Sequence, residues 1–462
     1  MTLRKMPLLD AASLQLDGKN MPMHIAALMT FEYPESLDKD DRKTFINELI
    51  ERWREEPRVE YPWNQVLTRP TRWQLRPVTR EIYSLDLEYH LRHWSLPSPG
   101  GERELGQMIA WLHEQKMDLE KPLWEVHMID GLCESRFAVY VKIHHSLVDG
   151  VSGSSLVVNS LSSDIESLTT PIWAKKQHDG GEKKVAPKSI MDAEMPTMDD
   201  VKKVVNEVKE GFSASQKLRS HSSSGLTTFK ATPDCILNGR IGPHRRVATQ
   251  SIELDRLKKL AKKAEATVND VVLAIVGGAL REYLIDANAL PEDSLTAALP
   301  VSTRKPGDTS IGNQVTIMYG SLGTNVADPA MRLQYVKQST KAGKSMLSEL
   351  SPNAVNAYSL FSTGPFLSTV MLGLNKSPKH LFNTTISNVP GLREPKYLDG
   401  AKLLHVFPVS LIMPGLPLNF TCVSHEDHLN FGIVACRDRV PHVQRLAVAL
   451  MCSMEELEKH IL

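Results

Sequence analysis

The sequence predicts a mixed α/β protein of two layered halves, and three observations carry that expectation. The chain has 462 residues, which suits two domains at about 100–200 residues each rather than one core. Helical and strand periodicities alternate along most of it, the pattern of helices layered on sheets. Between Pro171 and Pro233 the composition turns to Lys, Ser, Asp and Gly with few large apolar residues, as in a linker. We therefore expect a first domain over 1–170, a linker or crossover segment over 171–233 that is partly helical or disordered, and a second domain over 234–462.

In the first half, residues 39–56 place Phe45, Ile46, Leu49, Ile50 and Trp53 at helical spacing and stop at Pro57. Residues 102–116 repeat the pattern with Leu105, Met108, Ile109 and Leu112. Residues 124–129 and 136–143 read as paired strands, the second alternating Phe137, Val139, Val141 and Ile143 against Ala138, Tyr140 and Lys142. Within the linker, 198–217 has the composition of a charged helix. The second half restarts with a strand near 246–253 and helices over 255–263 and 269–284. Strands follow at 295–301, 314–321, 382–388, 403–409 and 429–436, with helices near 328–349, 352–373 and 441–460. Two comparable halves offer a cleft between them.

Composition excludes several function classes. Lys plus Arg, 54, equals Asp plus Glu, 54, so no global field holds the chain on nucleic acid or an anionic bilayer, and any such binding is local. The five cysteines, Cys133, Cys235, Cys422, Cys436 and Cys452, are odd in number, widely spread and without a C-x-x-C pair. That argues against a disulfide framework and a zinc cage and for a reducing compartment. The first twenty residues contain no uninterrupted apolar run of the secretory kind. The two most apolar stretches, 356–375 and 404–423, are broken by Ser, Thr and Pro, so neither reads as a continuous apolar helix of about 20 residues. The reading is a soluble or peripheral protein.

The most informative stretch runs from Lys142 to Gly150, K-I-H-H-S-L-V-D-G, at the end of a predicted strand and the start of a predicted helix. Adjacent histidines on extended backbone point to opposite faces, so only one can meet a given cleft. An imidazole ejected from a strand end is a base with an ordinary pKa of about 6.5, able to take a proton from a hydroxyl or an amine. Asp149 can cap the next helix or pair with an arginine, and Gly150 permits close packing or an unusual φ. The bland alternative makes both histidines structural. A competing parse takes His144 with Asp149 as H-x-x-x-x-D, with the earlier histidine as base. No G-x-S-x-G elbow, P-loop, H-E-x-x-H or Rossmann glycine pattern occurs, so covalent and metal mechanisms lack a candidate, and we assign no metal ligand.

Further motifs make the reading specific. Pro22-Met23-His24 precedes an apolar strand; Pro122-Leu123-Trp124, His144 to Gly150, Asn269-Asp270, Pro300-Val301-Ser302-Thr303-Arg304 and Ser387-Asn388-Val389-Pro390-Gly391 follow in that order. With this series the chain resembles, from end to end, the bacterial wax ester synthase/acyl-CoA:diacylglycerol acyltransferase family. It departs from it at Leu392, where many relatives carry Pro. H-H-x-x-x-D-G alone would indicate only the wider CoA-dependent acyltransferase superfamily, which includes condensation domains.

The resemblance implies two chloramphenicol-acetyltransferase-like domains, each a mixed sheet with flanking helices, and a tunnel between them. His145 would be the general base, His144 its support, and Asp149 a structural residue in an ion pair with Arg304. The implied substrates are fatty acyl-CoA as donor and a long-chain alcohol as acceptor, with diacylglycerol as a second acceptor. No permanently bound cofactor and no nucleic acid are implied. The implied location is cytoplasmic, peripheral to the inner membrane or lipid inclusions. The alternatives are a condensation-type acyltransferase with a smaller acceptor, and an inactive relative that binds lipid or coats droplets.

Chemistry independent of the family fits the same residues. A long-chain alcohol is a very weak acid, so its attack on a thioester needs a base. The tetrahedral oxyanion needs donors, for which Asn269, Asn388 or backbone N–H groups are candidates, with Asp270 and Ser387 supporting the cleft. The simpler readings are that Pro122, Leu123 and Trp124 pack, that Thr267 and Asp270 cap a helix, and that Ser387 to Gly391 form a turn. Lys258, Lys259, Lys262 and Lys263 form one polar face, read first as a solvated surface and second as a contact for CoA phosphates or anionic headgroups. The run 404–423 lines an acyl channel or forms core strands.

Overall fold

The computed structural model describes residues 3–6, 8–38, 40–71, 77–148, 153, 156–175, 232–302, 315–348 and 382–462. The helices expected over 198–217 and 352–373, and the apolar stretch 356–375, lie outside the described residues.

Among the described residues, two six-stranded mixed sheets organise the fold. The first runs, in spatial order, Tyr397–Leu398, Ala401–Val409, His24–Glu32, Arg136–His144, Trp124–Leu132 and Leu91–Ser95. The second runs Val315–Ser321, Thr296–Ser302, Thr384–Leu392, Leu418–His425, His428–Cys436 and Arg245–Glu253. A small third sheet joins Leu3–Lys5, Val78–Glu81 and Gln65–Leu67.

The local signals behind these elements hold. Phe137, Val139, Val141 and Ile143 enter one apolar cluster with Ile46, Leu49, Ile50 and Trp53 of the helix Asp41–Arg54. On the other face Ala138 and Tyr140 meet Leu105, Ile109 and Leu112 of the helix Glu102–Glu114, together with Val247 and Val434 of the second sheet. In the second half the helix Val268–Asp286 is buried without a break from Asp270 to Leu280, so it is a core helix rather than an amphipathic surface one. The helix Leu254–Lys263 buries Leu257, Leu260 and Ala261 and leaves Lys258, Lys259, Lys262 and Lys263 exposed.

Three features depart from the sequence reading. The strand Ala401–Val409, expected within the second layer structure, hydrogen-bonds to His24–Glu32 and completes the first sheet. It also lies against the second sheet: a Cβ on Gly432 would run into the Pro408 carbonyl, so only glycine lets the two backbones approach there. Second, the alternating strand that bears the histidines is buried on both faces: Ala138, Tyr140 and Lys142 are each 0% exposed, their face covered by the helix Glu102–Glu114. Third, the strand Leu418–His425 is absent from the expected element list; with Ala401–Val409 it takes up much of the run 404–423, which matches the core-strand reading of that run. The helix Leu8–Leu16 was also not anticipated.

Candidate active site

The strand Arg136–His144 ends at the paired histidines, and its neighbours fix that end from both sides. His144 pairs with His24 across one edge, and Ile143 with Trp124 across the other. The His144 N–H donates to the Leu123 carbonyl at 2.9 Å, the His145 N–H to the Met23 carbonyl at 2.8 Å, and the Leu147 N–H back to the His144 carbonyl at 2.9 Å. The chain therefore leaves the sheet at His145 in a hydrogen-bonded turn.

The two imidazoles differ in environment. His144 is 1% exposed. Its Nδ1 accepts the Ser146 N–H at 3.1 Å and lies 2.8 Å from Ser146 Oγ, which places the ring proton on Nε2. Burial lowers its pKa to about 4, against the opposing pull of the Asp17 carboxylate. A base that weak, with one nitrogen engaged by backbone and the other sealed, is poorly suited to deprotonate an incoming hydroxyl, so the H-x-x-x-x-D parse loses its physical support. His145 is only partly buried, the accessible member of the pair. Asp149, Gly150 and Arg304 lie outside the described residues, and with them the ion pair expected between Asp149 and Arg304.

Pro122, Leu123 and Trp124 are all buried, and they anchor the site by packing. Trp124 stacks on Trp173 at 5.5 Å and on His90 at 4.3 Å, and meets Trp63 edge-on at 5.6 Å. Its indole N–H donates to the Trp63 carbonyl at 2.9 Å. Leu123 joins Leu14 of the first helix in a small cluster, with Leu147 of the histidine turn packed against it.

Beneath the turn lies a polar network absent from the sequence reading. Lys142, 0% exposed, donates to Glu125 at 2.8 Å and to the carbonyls of Leu112 and Gln115 at 3.2 and 3.1 Å, capping the helix Glu102–Glu114. Glu125 also accepts from Tyr89 at 3.1 Å and from His127 Nε2 at 3.1 Å, while Trp94 donates to His127 Nδ1 at 3.0 Å. Burial alone would raise the Glu125 carboxyl; hydrogen bonds from His127 and Lys142 and the Lys142 charge overcome it and hold it at about 2. Next to it, His113 accepts from Tyr140 at 2.8 Å and donates to the Ser410 carbonyl at 3.0 Å, and burial lowers its pKa to about 3. Glu125 and Lys142 occupy paired positions of adjacent strands. That cross-strand match of opposite charges was the available signal.

The second half supplies the remaining motif residues. Thr267 and Asp270 form a reciprocal cap: Thr267 N–H donates to Asp270 at 2.9 Å, and Asp270 N–H to Thr267 Oγ1 at 3.2 Å. The other Asp270 oxygen accepts from Thr340 at 2.6 Å. Asp270 is thus a buried cap, and Asn269 beside it is partly exposed. Ser387 is partly exposed and Asn388 exposed on the strand Thr384–Leu392, whose Val389 belongs to the same apolar cluster as Ile143 and Val148. That cluster links the Ser387–Gly391 motif to the histidine turn. A Cβ on Gly391 would strike the Ser424 carbonyl, so this strand end presses against its neighbour. Among the described residues no three His, Cys, Asp or Glu side chains form a metal-binding group.

Comparison with known proteins gives a consistent result. Residues 6–272 match the family model for the wax ester synthase/diacylglycerol acyltransferase catalytic domain, and residues 311–458 that for the C-terminal domain of the same family. The O-acyltransferase WSD of Acinetobacter baylyi is 35% identical over 454 residues, covering 96% of this chain and 94% of that protein. The solved wax ester synthase/diacylglycerol acyltransferase from Marinobacter aquaeolei VT8 is 34% identical, with a TM-score of 0.78 over 99% of both chains. The first condensation domain of the calcium-dependent antibiotic synthetase, 14% identical with a TM-score of 0.55 over 97% of this chain and 93% of that one, shares the fold.

Proposed function

Because the chain belongs to the wax ester synthase/diacylglycerol acyltransferase family and is an acyltransferase, we propose that it transfers a fatty acyl group from acyl-CoA to a long-chain alcohol, with diacylglycerol as a second acceptor. The observation that carries the assignment of roles is the contrast between the histidines: His144 sealed and weakly basic, His145 accessible at the strand end.

In this mechanism the two substrates meet in a tunnel between the halves, and proximity supplies much of the acceleration. The hydroxyl oxygen attacks the thioester carbonyl while its proton passes to His145. The oxyanion takes hydrogen bonds from Asn388, Asn269 or a backbone N–H. Its collapse breaks the C–S bond, and the CoA thiolate takes the proton back from the imidazolium. No acyl-enzyme forms. His144 and Ser146 hold the turn, and Asp149 is assigned a structural role in an ion pair with Arg304.

The acceptors partition into lipid, so the enzyme works at a bilayer or neutral-lipid surface. No helix among the described residues is long and apolar enough to cross a membrane, and the exposed lysines of Leu254–Lys263 suit contact with anionic headgroups.

The test is thiol release from palmitoyl-CoA with and without hexadecanol, for the wild type and His145→Ala, with product analysis over a panel of alcohols and diacylglycerol. Alcohol-dependent release that disappears in His145→Ala is expected. Release independent of alcohol or of His145, or a covalent acyl-enzyme that accumulates, overturns the mechanism.

A further inference from the structure

Asp17, one of the polar residues that interrupt the first twenty, occupies an expensive position. It lies one residue past the C-terminal end of the helix Leu8–Leu16, where the helix dipole disfavours negative charge, and it is 3% exposed. Hydrogen-bond donors compensate it. The Met23 N–H donates to Oδ1 at 3.0 Å, and Lys116 Nζ to Oδ2 at 2.7 Å. The same Met23 residue, through its carbonyl, takes the His145 N–H at 2.8 Å.

The segment between Asp17 and Met23 is held at further points. Gly18 and Met21 exchange N–H to carbonyl bonds at 3.0 Å, closing it into a tight loop. Arg245 of the second sheet, itself 3% exposed, donates to the Asn20 carbonyl at 2.6 Å. Lys116 follows the helix Glu102–Glu114, whose Glu114 accepts from the Arg245 N–H at 3.2 Å and lies 3.2 Å from His244 Nδ1. The loop therefore spans both halves at the level of the histidine turn, with one carboxylate at its root.

We propose that Asp17 is a positioning residue for His145: by holding the Met23 N–H it fixes the Pro22–Met23 peptide and, across the Met23 Cα, the direction of the next carbonyl, which accepts the N–H of the residue bearing the catalytic imidazole. The inference rests on His145 being the base. Without Asp17 the Met23 N–H is buried without this acceptor, the Pro22–Met23 peptide can shift, and residue 23 then presents its own carbonyl less firmly to the His145 N–H. At 3% exposure Asp17 offers little surface to a substrate, so the loss is expected to fall on the chemical step.

The experiment uses the full-length protein with palmitoyl-CoA and hexadecanol and determines kcat and both KM values, alongside circular dichroism at the assay temperature. For folded Asp17→Ala, kcat is expected to fall about 10–100-fold, the scale of a small misplacement of a catalytic group, with each KM within about twofold of wild type. The paired change Asp17→Asn with Lys116→Gln rebuilds the junction without charge: the amide oxygen accepts from Met23, and its N–H donates to the new glutamine. It is expected to recover most of kcat, whereas Asp17→Asn alone, which turns an amide N–H toward Lys116, is not. If Asp17→Ala fails to fold, this second comparison carries the test. Folded Asp17→Ala with kcat within about twofold of wild type, loss in proportion to unfolded protein, or no recovery in the paired variant overturns the inference. His145→Ala is assayed in parallel: retained turnover there removes the base assignment itself, whatever Asp17 does.

Discussion

Lys142→Met is a severe perturbation whose size can be worked from the buried network. The ammonium is 0% exposed, 2.8 Å from a carboxylate whose side chain is 4% exposed, and it satisfies one carbonyl of the helix Glu102–Glu114, that of Leu112, and that of its C-cap Gln115. Removing one partner of such a pair leaves an uncompensated buried charge at a cost of about 3–5 kcal/mol. At roughly 2–4 °C per kcal/mol for a domain of this size, the midpoint of the first transition should fall by about 6–20 °C. The pH dependence gives the sign. In the wild type the Glu125 carboxyl sits at about 2, below its ordinary 4.5, so its contribution is complete above the ordinary value and lost as pH falls through the folded one. In Lys142→Met burial dominates and the folded carboxyl rises above its ordinary value, so the deficit against wild type should be largest near pH 7 and shrink toward pH 5. Adding Glu125→Gln removes the stranded charge and should recover about half the loss or more. The assay is thermal unfolding of the three proteins from pH 5 to 8. A deficit that is flat with pH, or a double variant no more stable than the single one, refutes the charge-based reasoning.

Further outcomes follow from the same structure. Burial lowers His90 and His144 to about 4 and His113 to about 3; the stability they contribute is present above the unfolded value of 6.5 and is lost as pH falls toward the folded ones. Each should cost about 2 kcal/mol at pH 5, and acid unfolding monitored by tryptophan fluorescence would contradict this if it began only below pH 4. Gly391→Ala, which drives a Cβ into the Ser424 carbonyl, should destabilise by about 1–3 kcal/mol or more in chemical denaturation; a neutral result would mean the strand end can move away. Asn388→Ala, at an exposed position, should leave stability within about 0.5 kcal/mol and lower kcat about 100–1,000-fold through loss of an oxyanion donor. Unchanged turnover passes that role to Asn269 or to backbone.

Much of this was legible because local period and turn chemistry act over short distances. The alternation from Phe137 to Ile143 locates the histidine strand, and the Thr267–Asp270 spacing anticipates a cap that the coordinates contain. What escaped depends on partners distant in sequence. Lys142 falls on the polar phase of its strand, and nothing nearby reveals that the helix Glu102–Glu114 covers that phase and turns a surface lysine into a buried cap. Leu418–His425 is buried at seven of eight positions, so it has no alternation to read. Leu403–Val409 was recognisable as a strand, but its choice of the first sheet is set by a partner nearly 400 residues earlier. Asp17 was opaque for the same reason: its ion pair is with Lys116, about a hundred residues away, and Met23, whose N–H it holds, meets His145 through its carbonyl.

The late arrival of Ala401–Val409 has a consequence for biosynthesis. As the ribosome delivers the chain, the His24–Glu32 strand must wait with one row of N–H and carbonyl groups unmatched until almost nine-tenths of the polypeptide exists. An open β edge held that long invites intermolecular pairing, and a product released early would carry both histidines on a sheet that cannot close. The first sheet is thereby completed only in the last stage of translation.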